Sequence, residues 1–391
     1  MSNASLYIKN ITVYTENEII PNGAIYVENG KIIAAGEQES VSPKVPAHTP
    51  RLDGKNLNAI PGFIDGHIHG ANGADVMDAT EEALDRVAEV LPQEGTTSFL
   101  ATTITQSHEN IEKALQTVAD YSNKPGQADI LGIHLEGPFV EKSKAGAQPA
   151  AYITKPDLAL FNKWQELSGN KIRTITMAPE HDADGEFIRQ LKASGVNVSA
   201  GHTDADFAGM KQAVAHGVGQ LTHLCNAMNG IHHRDIGAVG AAFQLNELRA
   251  ELIADGIHVS REMLELIYQN VGKERLILIT DAMRAKCLSA GDYELGGQPV
   301  MVTEDRAVLE DGTLAGSILK MEDAAKLMLD IAGGSIQDII AMASMNPAKQ
   351  LGVFAEKGSI TPGKDADILL VEDDLTVKTT ICRGMVAHDR R

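Results

Sequence analysis

The 391-residue sequence is short of positive charge: 34 Lys and Arg stand against 53 Asp and Glu, a formal charge of −19. A nucleic-acid partner needs clustered basic residues to displace counterions from phosphates, so the deficit argues against that class. A small anionic substrate stays open, because one or two local cations can hold it inside an acidic protein. Cysteine is also scarce. Cys225, Cys287 and Cys382 form no CxxC and no paired framework, which fits a reducing cytoplasm. The opening MSNASLYIKN has no basic segment followed by an apolar stretch, and no later apolar run approaches the roughly 20 residues of a membrane span. The expectation is a soluble, cytoplasmic protein without a membrane partner. Low-complexity tracts and near-identical repeats are missing as well. A chain of this length is expected to form one large domain with an accessory, or two medium domains.

The two chain ends resemble each other and differ from the middle. LYIKNITVYT, GAIYVENG and KIIAAG are short alternating β-rich runs separated by Asn-Gly turn signals, and residues 358–387 repeat the pattern. One small β-sandwich domain assembled from residues 1–57 and 346–391 is predicted. Between them, 58–345 alternates apolar β runs with helical stretches: NAIPGFIDGHIHG, TTSFLATTIT, DILGIHLEGPF, IRTITMAPE, VNVSAGHT, GQLTHLCNAM, AELIADGIHV and RLILITDAM are eight strands. TEEALDRVAEVLPQ, HENIEKALQTVADY, DADFAGMKQAVAHG and SREMLELIYQNVG are helices with polar or acidic starts. Eight such units predict an α/β fold of the (β/α)8 TIM-like type.

In such barrels chemistry gathers at the C-terminal strand ends, where the loops converge. Six of the eight expected strands end in His, Asp or Glu: His67 and His69, His134 and Glu136, His202, His223, Asp255 to His258, and Asp281. Taken singly, each has an ordinary structural explanation. Asp281 could be an N-cap, Glu136 a turn residue before Gly-Pro, His134 a neighbour on the same strand face, and any lone His a core side chain with a partner. Six converging ends argue for a common cause.

Imidazole and carboxylate donors suit zinc, iron and similar divalent ions. Glu136, His202 and His223 make one three-ligand set; His67 and His69, two residues apart on a strand and so facing one way, make a second. An ion held there lowers the pKa of its water and polarises a carbonyl, which points to hydrolysis. Asp281 is the remaining carboxylate, suited to carry the proton.

HxH after the first strand, single His residues after the fifth and sixth, and Asp after the eighth resemble the amidohydrolase superfamily. More narrowly, HLEGPF, SAGHTDADF, THLCNAMNGIHHRDIG, ADGIHV and LITDAM resemble the N-acetylglucosamine-6-phosphate deacetylase family, over essentially the whole chain. Glu136 stands where many superfamily relatives use a carbamylated lysine. The resemblance implies hydrolysis of the acetamide of N-acetyl-D-glucosamine 6-phosphate to glucosamine 6-phosphate and acetate, in amino-sugar catabolism and cell-wall sugar recycling. The 4-epimeric N-acetylgalactosamine 6-phosphate is the alternative substrate, and a non-catalytic binding protein on this fold the alternative of another class. It further implies Glu136, His202 and His223 as principal metal ligands, with His67 and His69 completing a binuclear site of zinc, or of iron, manganese or cobalt. Asp281 would be the catalytic acid and base. Ala147, Asn226, Ala227, His258 and the turn Leu314, Ala315 and Gly316 would bind the sugar. Arg234 would pair with the 6-phosphate, and with His232 or His233 would reach the neighbouring subunit of a homodimer. Gln148 stands where many relatives have a His that orients or polarises the acetyl carbonyl.

Overall fold

The computed structural model describes residues 4–391; Met1, Ser2 and Asn3, part of the opening segment and of the expected N-terminal β unit, lie outside the described residues. Eight parallel strands run in sequence order around a nearly closed barrel: Phe63–Ile68, Thr96–Thr103, Asp129–Glu136, Ile172–Met177, Asn197–Ala200, Gln220–Leu221, Arg249–Ile253 and Leu276–Ile279. Most of their residues are buried, because helices cover the outside and side chains fill the inside, and this is why the sequence shows continuous apolar runs here. Helices Glu81–Val90, His108–Asp120, Phe207–His216 and Arg261–Val271 lie at the expected places. Each is started by a side chain that accepts a backbone N–H: Thr80, Ser107, Asp206 and Ser260.

The first and eighth strands share no regular ladder. They meet just beyond their ends, where Asp281 N–H donates to the His67 carbonyl at 2.8 Å and His69 N–H to the Ala282 carbonyl at 2.9 Å. Below that point the carboxylate of Asp65 replaces the missing backbone pairing. It accepts from the Thr280 hydroxyl at 2.5 Å, from the Thr280 N–H at 3.3 Å and from the His67 N–H at 3.2 Å. The barrel is thus closed by the same backbone that carries three of the polar strand-end residues.

Both chain ends build the second unit. One sheet runs Met385–Asp389, Val377–Cys382, Ile368–Val371, Asn58–Pro61, Leu6–Tyr14, Ile19–Glu28, Lys31–Glu37, with Arg51–Asp53 beside Leu6–Tyr14. Asn58–Pro61, expected as the start of the first barrel strand, instead joins the ends, pairing with Leu6–Tyr14 on one side and Ile368–Val371 on the other, and the barrel begins at Phe63. Alternate residues, among them Ile8, Val13, Ile25, Val27, Ile368 and Leu370, close a separate sandwich core. An element not anticipated from the sequence follows the eighth barrel strand: a small antiparallel sheet of Gly291–Leu295, Gln298–Val302 and Ala307–Val308. Its core includes Leu295, Val300 and Ala307 and packs against Ile104 and Met283 at the barrel mouth. No described helix is long and apolar enough to cross a membrane.

Candidate active site

Glu136, the last residue of the third strand, is 2% exposed and sits among four imidazoles. Its Oε1 lies 3.2 Å from His202 Nε2, 3.3 Å from His223 Nε2 and 3.5 Å from His67 Nε2. Its Oε2 lies 3.3 Å from His69 Nε2. Asp281 Oδ1 approaches the same two histidines of the HxH pair, at 3.3 Å from His67 and 3.2 Å from His69. Six side chains from five strand ends therefore direct their polar atoms at one small volume. Three sets, Glu136–His202–His223, His67–His69–Asp281 and, deeper in the barrel, His67–His134–Glu251, have donor atoms all within 4.8 Å of one another, the spacing of ligands around an ion.

The backbone is bent to do this. His202, His223 and Asp281 take φ of +48°, +34° and +50°, a region that costs a non-glycine residue roughly 1–3 kcal/mol and persists only where surrounding structure enforces it. Gly201 lets the turn before His202 press against its neighbours, since a Cβ there would come within 2.7 Å of Thr222 and 2.8 Å of Thr176. Beneath the imidazoles a buried chain of polar groups fills the barrel. His134 Nε2 is 2.7 Å from Thr176 Oγ1, which is 2.7 Å from Thr222 Oγ1, in turn 2.6 Å from Ser199 Oγ.

Charge follows from this packing. Burial pushes the His67 imidazole down, but Asp281, Glu136 and Glu251 outweigh it and hold the group at about 9. His69 is raised well above its ordinary value by the same two carboxylates, Asp281 and Glu136, again against burial. Burial pushes the carboxyls up, yet the histidines bring Asp281 to about 2 and Glu136 well below the usual range. His134, buried and facing His67, is pushed well down. The centre thus pairs ionised carboxylates with imidazoles and draws positive charge. A divalent ion supplies that charge more fully than a proton, and the residues fit one.

Two of the histidines have their far nitrogen engaged. His202 Nδ1 lies 2.9 Å from the Lys144 carbonyl and His67 Nδ1 lies 3.1 Å from Glu251 Oε2, whereas Nδ1 of His69 and of His223 has no partner among the described residues. A donor hydrogen on Nδ1 leaves the Nε2 lone pair turned to the cavity.

A cavity of about 510 Å³ opens above the centre, enough for a monosaccharide-sized ligand. Of the residues expected to bind substrate, Ala147, Gln148, Asn226, Ala227, His258, Leu314 and Gly316 line it. Ala315 is fully buried beside that wall. Gln148 is held on both ends: Oε1 accepts the Thr105 N–H at 2.9 Å and Nε2 donates to Glu136 Oε2 at 2.7 Å. His258 Nδ1 is 2.6 Å from Asp255 Oδ2, which fixes the orientation of the ring at the cavity. His232, His233 and Arg234 stand apart, exposed on the loop after the sixth strand, with the Arg234 guanidinium 2.7 Å from His233 Nε2. Three residues around the site went unread in the sequence. Lys144 lines the cavity and donates to Asn229 Oδ1 at 2.7 Å. Asp65 and Glu251 lie inside apolar strand runs, where a lone acidic residue was itself the available signal.

Residues 58–387 match the model of the amidohydrolase family. N-acetylglucosamine-6-phosphate deacetylase of Bacillus subtilis (strain 168) is 48% identical over 388 residues, covering 98% of this chain and 97% of that protein. Among solved structures, N-acetylglucosamine-6-phosphate deacetylase from Thermotoga maritima superposes with a TM-score of 0.86 at 32% identity, over 98% of this chain and 99% of the other. A mutant of the Mycobacterium smegmatis deacetylase in complex with N-acetyl-D-glucosamine-6-phosphate gives a TM-score of 0.88 at 29% identity, with the same coverage. The chain belongs to the amidohydrolase family, in the branch it forms with the N-acetylglucosamine-6-phosphate deacetylases.

Proposed function

We propose that the protein removes the acetyl group of N-acetyl-D-glucosamine 6-phosphate, releasing D-glucosamine 6-phosphate and acetate in cytoplasmic amino-sugar catabolism and cell-wall sugar recycling. The observation that carries this is Glu136 and four imidazoles converging with Asp281 at the floor of a sugar-sized cavity, in a chain that matches deacetylases end to end. Glu136, His202 and His223 would hold one divalent ion, and His67 and His69 a second. Zinc suits this donor set first, with iron, manganese and cobalt as alternatives. Such an ion supplies polarisation of the acetyl carbonyl and acidification of a water.

The chain's own residues do the rest. Asp281, ionised and next to both HxH histidines, takes the proton of the attacking water and delivers it to the amine nitrogen as the C–N bond breaks. Gln148 fixes the second oxygen of Glu136. His258, oriented by Asp255, accepts from a sugar hydroxyl, while Ala147, Leu314 and Gly316, backed by Ala315, enclose the ring. The backbone at Asn226 and Ala227 receives the phosphate. Arg234 stands outside its own cavity, so its contact with the 6-phosphate is assigned to the neighbouring copy in a homodimer, with His232 or His233 beside it.

Acetate release from N-acetylglucosamine 6-phosphate, N-acetylgalactosamine 6-phosphate and unphosphorylated N-acetylglucosamine, with metal content measured in parallel, tests the proposal. The first sugar is expected to give the highest kcat/KM, by about tenfold or more. A galacto preference would reassign the sugar, and no acetate from either phosphorylated sugar would overturn the assignment.

A further inference from the structure

Glu251 lies in the middle of the seventh barrel strand, in the run Arg249–Ile253, and is 2% exposed. A buried carboxylate is costly unless paired. Among the described residues no Lys or Arg reaches it; its one ion-pair partner is His67, with Oε2 at 3.1 Å from Nδ1. Its remaining bonds are to neutral donors: Oε1 accepts from Gln220 Nε2 at 2.6 Å, and Oε2 from the His223 N–H at 3.4 Å. On its other side the His67 ring meets His134 edge-on, with centroids 4.4 Å apart and planes at 86°. The imidazole is gripped by a carboxylate at Nδ1 and by an aromatic ring at its face. Nε2 is left to address the cavity, where it faces Glu136 Oε1 at 3.5 Å and Asp281 Oδ1 at 3.3 Å.

His69 offers a built-in contrast, because among the described residues its Nδ1 has no partner, while Nε2 faces Glu136 and Asp281. Of the two histidines in HxH, one has its tautomer and orientation imposed from behind and the other does not. A carboxylate on the far nitrogen of a ligating imidazole fixes the tautomer and raises the basicity of the ligating nitrogen, and losing such a partner typically costs about 10–100-fold in metal affinity.

We infer that Glu251 is a positioning residue that acts through His67: it holds the Nδ1 hydrogen, turns the Nε2 lone pair to the cavity, and so sets the affinity of the metal position on the HxH side. This rests on the metal-dependent site proposed above. Glu251→Gln is the informative change, since the amide keeps the shape but can donate to Nδ1, which favours the hydrogen on Nε2 and blocks the ligating lone pair.

The test is titration of the metal-free protein with Zn2+ against a competing chelator, for wild type, Glu251→Gln, His67→Gln and the double variant, with the melting temperature recorded for each. Wild type is expected to take up two equivalents. Glu251→Gln should keep the tighter one and weaken the other by about 10–100-fold. The double variant should be no weaker than His67→Gln alone, because both changes remove one contribution. The inference is overturned if wild type binds a single equivalent, if Glu251→Gln binds both within about threefold of wild type, or if it weakens both equally together with a lowered melting temperature. Non-additive behaviour is the readout that a merely structural Glu251 would not produce. Acetate release by the wild-type protein is scored separately, so failure of the deacetylase assignment and failure of this inference give different results.

Discussion

Asp281 takes and returns the proton in the proposed reaction, and its surroundings set the pH range over which it can. The carboxyl is held at about 2: burial raises it, and the outweighing attraction of His67 and His69 lowers it. A carboxyl depressed in this way is ionised at every pH above that value, so the base form is present throughout the neutral range. The acid limb of a kcat/KM profile is therefore expected from protonation of His67 and His69, both raised by the carboxylates beside them, and added metal should move it to lower pH. Asp281→Asn should lower kcat by about 10²–10⁴-fold at all pH values while metal content stays at the wild-type level. Turnover within tenfold of wild type would remove Asp281 from proton transfer. The residues proposed to carry this chemistry were legible because each interrupts an apolar run at its end, where a strand gives way to a loop. Glu251 and Asp65 were not, because each sits within a strand and faces inward, and a run read by its apolar density hides a single inward carboxylate. Lys144 was missed for the opposite reason, being one of several lysines in a polar loop.

Loops, more than strands, decide what this barrel accepts. The three-stranded sheet inserted after the eighth strand supplies Leu295 to the cavity wall, and the turn that follows its last strand supplies Leu314 and Gly316. The sequence pointed to that turn through family resemblance alone, since strands of two to five residues carry too little periodicity to be recognised. The loop 231–236 after the sixth strand places Ile231, His232, His233, Arg234 and Asp235 in solvent, and Ile231 is 47% exposed. A guanidinium presented so openly, beside two imidazoles, suits an anion brought by a second copy. Arg234→Ala should raise KM for the phosphorylated sugar by about 10–100-fold, the worth of one or two charge-assisted hydrogen bonds, and leave the unphosphorylated sugar unchanged. Mixing Arg234→Ala with Asp281→Asn and allowing subunits to exchange should restore part of the wild-type rate, because one kind of hybrid site then has both residues intact. A rate equal to the sum of the two separate variants would show that Arg234 serves its own cavity.

The sandwich unit and the barrel are tied together by a buried charge cluster at the far end of the strand that carries Glu136. Lys357 Nζ lies 2.6 Å from Asp367, 3.0 Å from Asp365 and 3.0 Å from Asp129, the first residue of the third barrel strand. Arg383, in the C-terminal part of the sheet unit, adds an ion pair to the other oxygen of Asp129 at 2.8 Å. Lys357, Asp129 and Asp367 are all buried, so removing the cation leaves Asp367 without an ion-pair partner and Asp129 with Arg383 alone. Breaking a buried pair in this manner costs about 3–5 kcal/mol, and Lys357→Met is expected to lower the melting temperature by roughly 4–6 °C at pH 8. Burial already pushes the Asp129 carboxyl up, more than Lys357 and Arg383 pull it down. Without Lys357 that rise is larger, so protonation relieves the repulsion as pH falls and the loss should be smaller at pH 5 than at pH 8. Asp129→Asn added to Lys357→Met should recover part of the stability, since it removes one of the buried negative charges that then outnumber the cations. Calorimetry of the three proteins at both pH values decides the matter. A loss of less than about 2 °C at pH 8, or the same loss at both pH values, would mean that apolar packing alone joins the two units. Metal affinity at Glu136 should be unchanged in every case, because the cluster and the metal centre lie at opposite ends of the strand Asp129–Glu136.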